Sequence, residues 1–355
     1  MASNINLHIH TTYSDGSNTP AEIVPMLKAA GVTVFSITDH DKIDGNAEAA
    51  VLAVEHGLTY ITGIELSCCF SRGELGLDET WVMHILGYGF DIDLMQDKLT
   101  EIEANKHKRL RRLFDLLVAD GYDINLEEIA QGGLISERTL ISEELICKGY
   151  AADGNECFEK ILNTKRYRRF ANYKPSIRDG IKIIRDCDGV AIWAHPYGVT
   201  RGGKKELTEK QVSSLLPQMM AYNLDGVEVY YQQYAPEQIS RLYELTESWG
   251  GLYRTVGTDY HNFHVDRIAF DVVEPDKVVE ELLDRIINGD ENNYCDKCPH
   301  FSEHLDFDTM MNVWFYYCSK VRKDRSLDLK MVTGSNLKPL SYIKRPDWCP
   351  LRQEL

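Results

Sequence analysis

The chain has 355 residues, 43% of them hydrophobic and 26% charged, a balance that excludes disorder over its whole length. Its formal net charge of −16 opposes binding to bulk duplex nucleic acid, yet admits a small phosphorylated ligand wherever bound metal supplies local positive charge. There is no apolar run of the roughly 18 residues that a membrane span needs and no basic, apolar leader, so the expectation is a cytoplasmic protein with no membrane partner.

Residues 5–11 read as a strand in which His8 and His10 share a face, because side chains alternate along a strand. Asp15 follows in a polar turn. Thr19, Pro20 and Glu22 then form a helix start that runs to Ala30 and stops at Gly31. A strand over 33–38 ends in Thr38-Asp39-His40-Asp41, and a helix over 46–56 closes at Gly57. Strands over 59–66 and 82–89 carry Glu65 and His84. From Ile92 to Pro175 the pattern changes to amphipathic helices rich in Lys, Arg and Glu, which reads as an insertion. Alternation then resumes, with His195 after a strand over 189–194 and Asp259-Tyr260-His261 after a strand over 252–258.

Alternation of this kind implies a mainly parallel sheet with helices outside, and seven strands fit a closed or nearly closed barrel of βα units. The expected division is a barrel from 1–92 and 176–290, an inserted helical subdomain over 93–175 and a C-terminal extension over 291–355. In such a barrel the chemistry gathers at the carboxyl ends of the strands, where six of the eleven histidines and three carboxylates fall. Imidazole with carboxylate suits Mn²⁺, Fe²⁺ or Zn²⁺, and nine ligands are enough for two or three such ions.

The segments His8-Ile9-His10-Thr11-Thr12-Tyr13-Ser14-Asp15-Gly16, Thr38-Asp39-His40-Asp41, Gly63-Ile64-Glu65, His84-Ile85-Leu86-Gly87, Ala194-His195-Pro196 and Gly257-Thr258-Asp259-Tyr260-His261 resemble, in order, the motif series of the PHP (polymerase and histidinol phosphatase) phosphoesterases. The resemblance implies a distorted seven-stranded (βα)7 TIM-like barrel. It also implies one ion on His8, His10, Glu65 and Asp259, a second on Glu65, His84 and His195, and a third on Asp15, His40 and His261. The implied activity is metal-dependent hydrolysis of small phosphorylated substrates: nucleotides, nucleoside bisphosphates, cyclic phosphates or oligonucleotide ends. Hydroxide generated by the metals would attack phosphorus, and His195, His40 and Asp259 are the candidates for proton transfer. Histidinol-phosphate hydrolysis and a metal-binding module without turnover are the alternatives.

On the substrate side, Arg138 lies where stand-alone members of the family carry a phosphate-gripping Arg, although Glu137 and Leu140 depart from the pattern. Arg166 and Arg168, in the basic run Lys165 to Arg169, suit a lid over a second phosphate; a solvated face is the competing explanation. The run Lys106 to Arg112 reads as a helix face. Nine cysteines at uneven spacing make a poor disulfide framework, and Cys68, Cys69, Cys147, Cys157 and Cys187 are expected to pack as small apolar groups. Cys295-Asp296-Lys297-Cys298 is a candidate structural zinc knuckle that Cys318 and Cys349 would complete. The extension around it is also a candidate oligomer contact.

Overall fold

The computed structural model describes residues 4–70, 81–125, 137–170, 174–200, 204–262, 266–269 and 277–288, together with the backbone of three strands between 301 and 332. The chain divides into two compact units, one of residues 1–39, 44–64 and 225–355 and the other of residues 40–43 and 65–224.

In the first unit, β1 (Asn4–Asn6), β2 (Val32–Ser36) and β3 (Thr59–Ile61) form a parallel sheet. A second parallel pair, β9 (Gly226–Tyr231) and β10 (Tyr253–Gly257), joins it, because Leu7 N–H donates to Val256 O at 3.0 Å and His10 N–H donates to Tyr260 O at 2.8 Å. The pleat decides what each side chain of the first strand does. Ile5, Leu7 and Ile9 are buried, and Ile9 packs with Ile23, Val24 and Leu27 of α1 (Pro20–Ala29) and Ala49 and Ala53 of α2 (Gly45–His56). Asn6, His8 and His10 alternate with these three and are turned to the other face. α1 starts at the capping box that Thr19 and Glu22 spell, with Pro20 at its first turn. α2 ends at Gly57, whose φ of 66° is the left-handed conformation that glycine adopts at least cost.

The second unit holds β4 (Gly63–Phe70) from residue 65 on, β5 (Trp81–Tyr88), β6 (Val190–Trp193), β7 (Gly198–Thr200) and β8 (Lys204–Glu206). β5 pairs with β4 and runs antiparallel to both β6 and β7, and β8 is antiparallel to β7. Its helices are α3 (Ile92–Ala119), α4 (Glu137–Cys147), α5 (Gly154–Cys157), α6 (Ile177–Asp186) and α7 (Glu209–Ala221), while α8 (Pro236–Trp249) and α9 (Lys277–Asn288) belong to the first unit. Leu113, Leu117, Ile141, Leu145, Cys157, Ile161, Leu162 and Tyr167 give the helical stretch a core of its own.

The expected seven-stranded barrel is not what forms. Among the described residues the first sheet has three parallel strands, and the strands of the second unit are mixed in direction. Two local causes account for this. Ten residues separate β4 from β5, whereas a helical crossover between parallel strands needs a dozen or more. The expected strand over 59–66 also breaks at Thr62 into β3 and β4. At Gly63 a Cβ would lie 2.0 Å from Ser36 Oγ and 2.5 Å from Ile37 O, so the backbone passes too close for any side chain. A further correction concerns Cys147, which is exposed on the last turn of α4, while Cys68, Cys69, Cys157 and Cys187 are buried as expected.

In the C-terminal extension, β11 (Phe301–Asp306), β12 (Val313–Cys318) and β13 (Leu327–Val332) form an antiparallel meander. Cys295, Cys298 and Cys349 of the candidate zinc knuckle lie outside the described residues. Among the described residues no helix is long and apolar enough to cross a membrane.

Candidate metal centre

Each unit carries its own cluster of imidazole and carboxylate at strand ends. In the first unit His8 and His10, both fully buried, turn their Nε2 atoms to within 3.1 Å of each other. Asp259 Oδ1 stands 3.3 Å from His8 Nε2 and 3.1 Å from His10 Nε2. His10 Nδ1 lies 3.7 Å from Asp15 Oδ1, and His261 Nε2 lies 3.4 Å from the same oxygen. The same-face pairs expected at 8 and 10 and at 259 and 261 are therefore present as pairs.

In the second unit Glu65 gathers three imidazoles. Its Oε1 is 3.0 Å from both His84 Nδ1 and His195 Nε2, which are 3.3 Å apart, and its Oε2 is 2.9 Å from His40 Nδ1. A parallel bridge between His40 and Glu65 fixes the strand ends that present them.

The two arrangements match in shape. His8 Nε2, His10 Nε2 and Asp259 Oδ1 form a triangle with edges of 3.1 to 3.3 Å, and Glu65 Oε1, His84 Nδ1 and His195 Nε2 form one with edges of 3.0 to 3.3 Å. Neighbouring donors about 2.1 Å from one divalent ion are separated by about 3.0 Å in octahedral and about 3.4 Å in tetrahedral geometry. The residues present thus fit the ions that their chemistry implies. His10, Asp15 and His261 make a third grouping of donors within 4.8 Å of one another, and His40, Glu65 and His84 make a fourth.

Protonation is set by the neighbours. His8 Nδ1 donates to Glu228 Oε1 at 2.9 Å, which leaves Nε2 as a lone pair aimed at the triangle. His261 Nδ1 donates to the Asp259 carbonyl at 2.8 Å, which turns its Nε2 toward Asp15 Oδ1 at 3.4 Å. Burial pushes the His84 pKa down against the pull of Glu65, which favours the neutral form that can ligate. His261 is raised: burial lowers its pKa, but the Asp15 hydrogen bond and the Asp259 charge outweigh it.

Four supporting residues had no role in the sequence reading, although Asp39 and Asp41 stand in its Thr38-to-Asp41 motif. Glu228 is fully buried in the apolar strand β9, and a lone carboxylate between Val227 and Val229 was the signal that could have found it. Tyr231 donates its hydroxyl to Asp259 Oδ2 at 2.7 Å and so leaves Oδ1 for the triangle; burial first, then that carboxylate, drives its pKa far up. Asp39 accepts from Thr11 N–H at 2.7 Å, Thr11 Oγ1 at 2.7 Å and Ser14 Oγ at 2.6 Å, pinning the loop that carries Asp15. Asp41 accepts from Ser67 N–H at 2.7 Å and donates its own N–H to Glu65 O at 3.0 Å. Three non-glycine residues at the clusters, Asp41 (φ 53°), His195 (φ 28°) and Asp259 (φ 52°), hold left-handed backbone, a conformation concentrated where function fixes it.

The three arginines singled out in the sequence lie in the helical stretch. Arg138 donates to Leu162 O at 3.0 Å and to Asn163 Oδ1 at 3.2 Å and lies over the Phe158 ring. Arg166 is bidentate to Asp120, which also accepts from the Tyr167 hydroxyl. Arg168 is exposed in the 3₁₀ turn Arg168–Phe170.

Residues 6–170 match the family described as PHP domain. The 3',5'-nucleoside bisphosphate phosphatase of Chromobacterium violaceum is 27% identical over 73% of this chain and 87% of its own length. A 5'-3' exoribonuclease of Haemophilus influenzae is 28% identical over 74% and 91%. A solved amidohydrolase from Chromobacterium violaceum, with bound sulfate and no metal, superposes with a TM-score of 0.54 at 25% identity, covering 80% of this chain and 97% of that one. Motifs and relatives agree: residues 6–170 match the PHP domain, and the chain is similar over most of its length to phosphoesterases of that family.

Proposed function

We propose that this chain is a metal-dependent hydrolase of phosphoester bonds, acting on nucleotides, nucleoside bisphosphates, cyclic phosphates or oligonucleotide ends. The hydrolase class follows from the PHP domain and from relatives named for phosphatase and exoribonuclease activities. The observation that carries the chemistry is the pair of matching donor triangles. The ligand set is the one the resemblance implies, His8, His10, Asp15, His40, Glu65, His84, His195, Asp259 and His261, for two or three ions of Mn²⁺, Fe²⁺ or Zn²⁺. Bound there, such ions supply hydroxide at neutral pH and neutralise charge on the phosphoryl oxygens.

The rest is done by the chain. Glu228 and Tyr231 fix His8 and Asp259 in the ligating orientation, and Asp39 fixes the loop of Asp15. Of the three candidates for proton transfer, His40 has the most exposed side chain, at 24% against 12% for both His195 and Asp259. That access suits delivery of a proton from its ring to the leaving oxygen.

The test is a panel assayed with Mn²⁺: a nucleoside 3',5'-bisphosphate, a 5'-phosphorylated oligonucleotide, a cyclic phosphodiester and histidinol phosphate. Turnover of a nucleotide substrate that disappears in His10→Ala and Glu65→Ala supports the proposal. Preference for histidinol phosphate would move the chain to that activity, and metal retention with no turnover on any member would make it a binding module.

A further inference from the structure

The second unit has a cavity of about 840 Å³ between α3 and α6 that the proposed reaction at the metal clusters leaves unused. It is lined by Lys98, Lys108, Arg109 and Arg112 of α3, by Lys174, and by Lys182 of α6, against three carboxylates, Glu101, Asp179 and Asp186. Positions 98, 101, 102, 105, 108, 109 and 112 recur at three- and four-residue intervals, so one stripe of α3 faces this space. In a chain of net charge −16 this is a local excess of positive charge, and at physiological salt charges more than about 8 Å away are largely screened from it. Among the described residues neither Lys108 nor Arg112 has an ion-pair partner, whereas Lys182 is held by Asp186 at 2.6 Å.

The cavity is tied to the Glu65 cluster by β4 and by Lys174. Cys69, which lines the cavity, lies four residues beyond Glu65 on β4, about 13 Å at the usual rise per residue. Its N–H donates to Pro175 O at 2.8 Å, so the residue after Lys174 is anchored to the same strand. Lys174 Nζ reaches Asp41 Oδ2 at 3.4 Å, next to His40, while its side chain also borders the cavity. A chain of phosphates that begins at the cluster therefore meets cationic side chains in succession. Among the described residues the lining includes no aromatic ring, so these residues offer charge for a backbone and no platform on which a base could stack.

We infer that the α3/α6 groove is a second anion site that holds the downstream phosphates of a single-stranded oligonucleotide whose terminal phosphate is at the Glu65 cluster, without reading its sequence. The inference rests on the phosphoesterase proposal for the identity of the reacting end, but not for binding in the groove.

Fluorescence anisotropy of a labelled 5'-phosphorylated hexanucleotide, run in EDTA so that no turnover occurs, tests the groove by itself. The double variant Lys108→Gln/Arg112→Gln is exposed on α3 and should fold. Its affinity for the hexanucleotide should fall about tenfold at 0.1 M salt, and the slope of log K against log salt should flatten by about 1.4, or 0.7 for each lost contact. Hexanucleotides of different sequence should bind alike. An unchanged affinity and slope would overturn the inference, as would a native protein that shows no measurable binding. Tighter binding of inorganic polyphosphate of matched charge would replace the oligonucleotide with a simple polyanion. In parallel, the ratio of kcat/KM for the hexanucleotide to that for a mononucleotide should fall in the double variant. If native protein hydrolyses nothing yet binds the hexanucleotide through Lys108 and Arg112, the phosphoesterase proposal fails and the groove stands.

Discussion

The two clusters solve one problem in opposite ways. In the first unit the triangle is supported from behind by separate partners: Glu228 holds His8, Tyr231 holds Asp259, and His8 and His10 are fully buried. In the second unit one carboxylate, Glu65, stands within 3.0 Å of three imidazole nitrogens and serves as the organising atom pair for all of them. Distributed support tolerates the loss of a supporting partner. A shared centre does not.

That difference can be broken most forcefully at Glu65. Glu65→Ala should lower metal affinity and activity by more than the roughly 100-fold that outer residues of a metal site reach, read by elemental analysis and by turnover with Mn²⁺. Glu228→Gln keeps the shape but weakens the bond that sets the His8 tautomer, so metal affinity should fall about 10- to 100-fold in a titration that leaves the fold intact. Equal losses in the two variants would erase the contrast between shared and distributed support. Gly257→Ala asks how tightly the first cluster is packed: a Cβ there would lie 2.3 Å from His8 Cβ and 2.4 Å from Glu228 Oε1. We expect a loss of about 1–3 kcal/mol, visible as a lowered Tm.

The smallest effect concerns the helical stretch. Hydrogen bonds from Arg166 and Tyr167 hold the Asp120 carboxyl below its ordinary range, so the folded form binds the proton more weakly than the unfolded chain does. This contribution is present above the unfolded carboxylate pKa and is lost as pH falls through the folded value. Amide protection factors in residues 137–170 should fall on acidification in the native chain and lose that dependence in Asp120→Asn.

What was legible in the sequence was whatever depends on local periodicity. His8 and His10 share a face because they are two apart, and Thr19 with Glu22 caps α1 as the spelling implies. Strand direction is different, since it is decided by which distant segment a strand meets. β5 meets β6 antiparallel, with more than one hundred residues between them, and nothing within Trp81–Tyr88 encodes that. The hairpin of β7 and β8 was missed because three-residue strands have too few positions to show alternation. At the clusters, candidate ligand types could be recognised from their motifs, whereas Tyr231 and Asp39 act through hydrogen bonds to residues 28 positions away in sequence, partners that no local pattern names.

The left-handed backbone at Asp41, His195 and Asp259 has an evolutionary consequence. Glycine would adopt those angles more readily, yet the proposed function calls for the side chains that flank and form the clusters, so on that proposal selection for activity and selection for robustness pull apart at the same three codons. A descendant released from catalytic duty would be free to drift to glycine there and gain thermal tolerance, and finding such chains would mark the moment when the chemistry was abandoned.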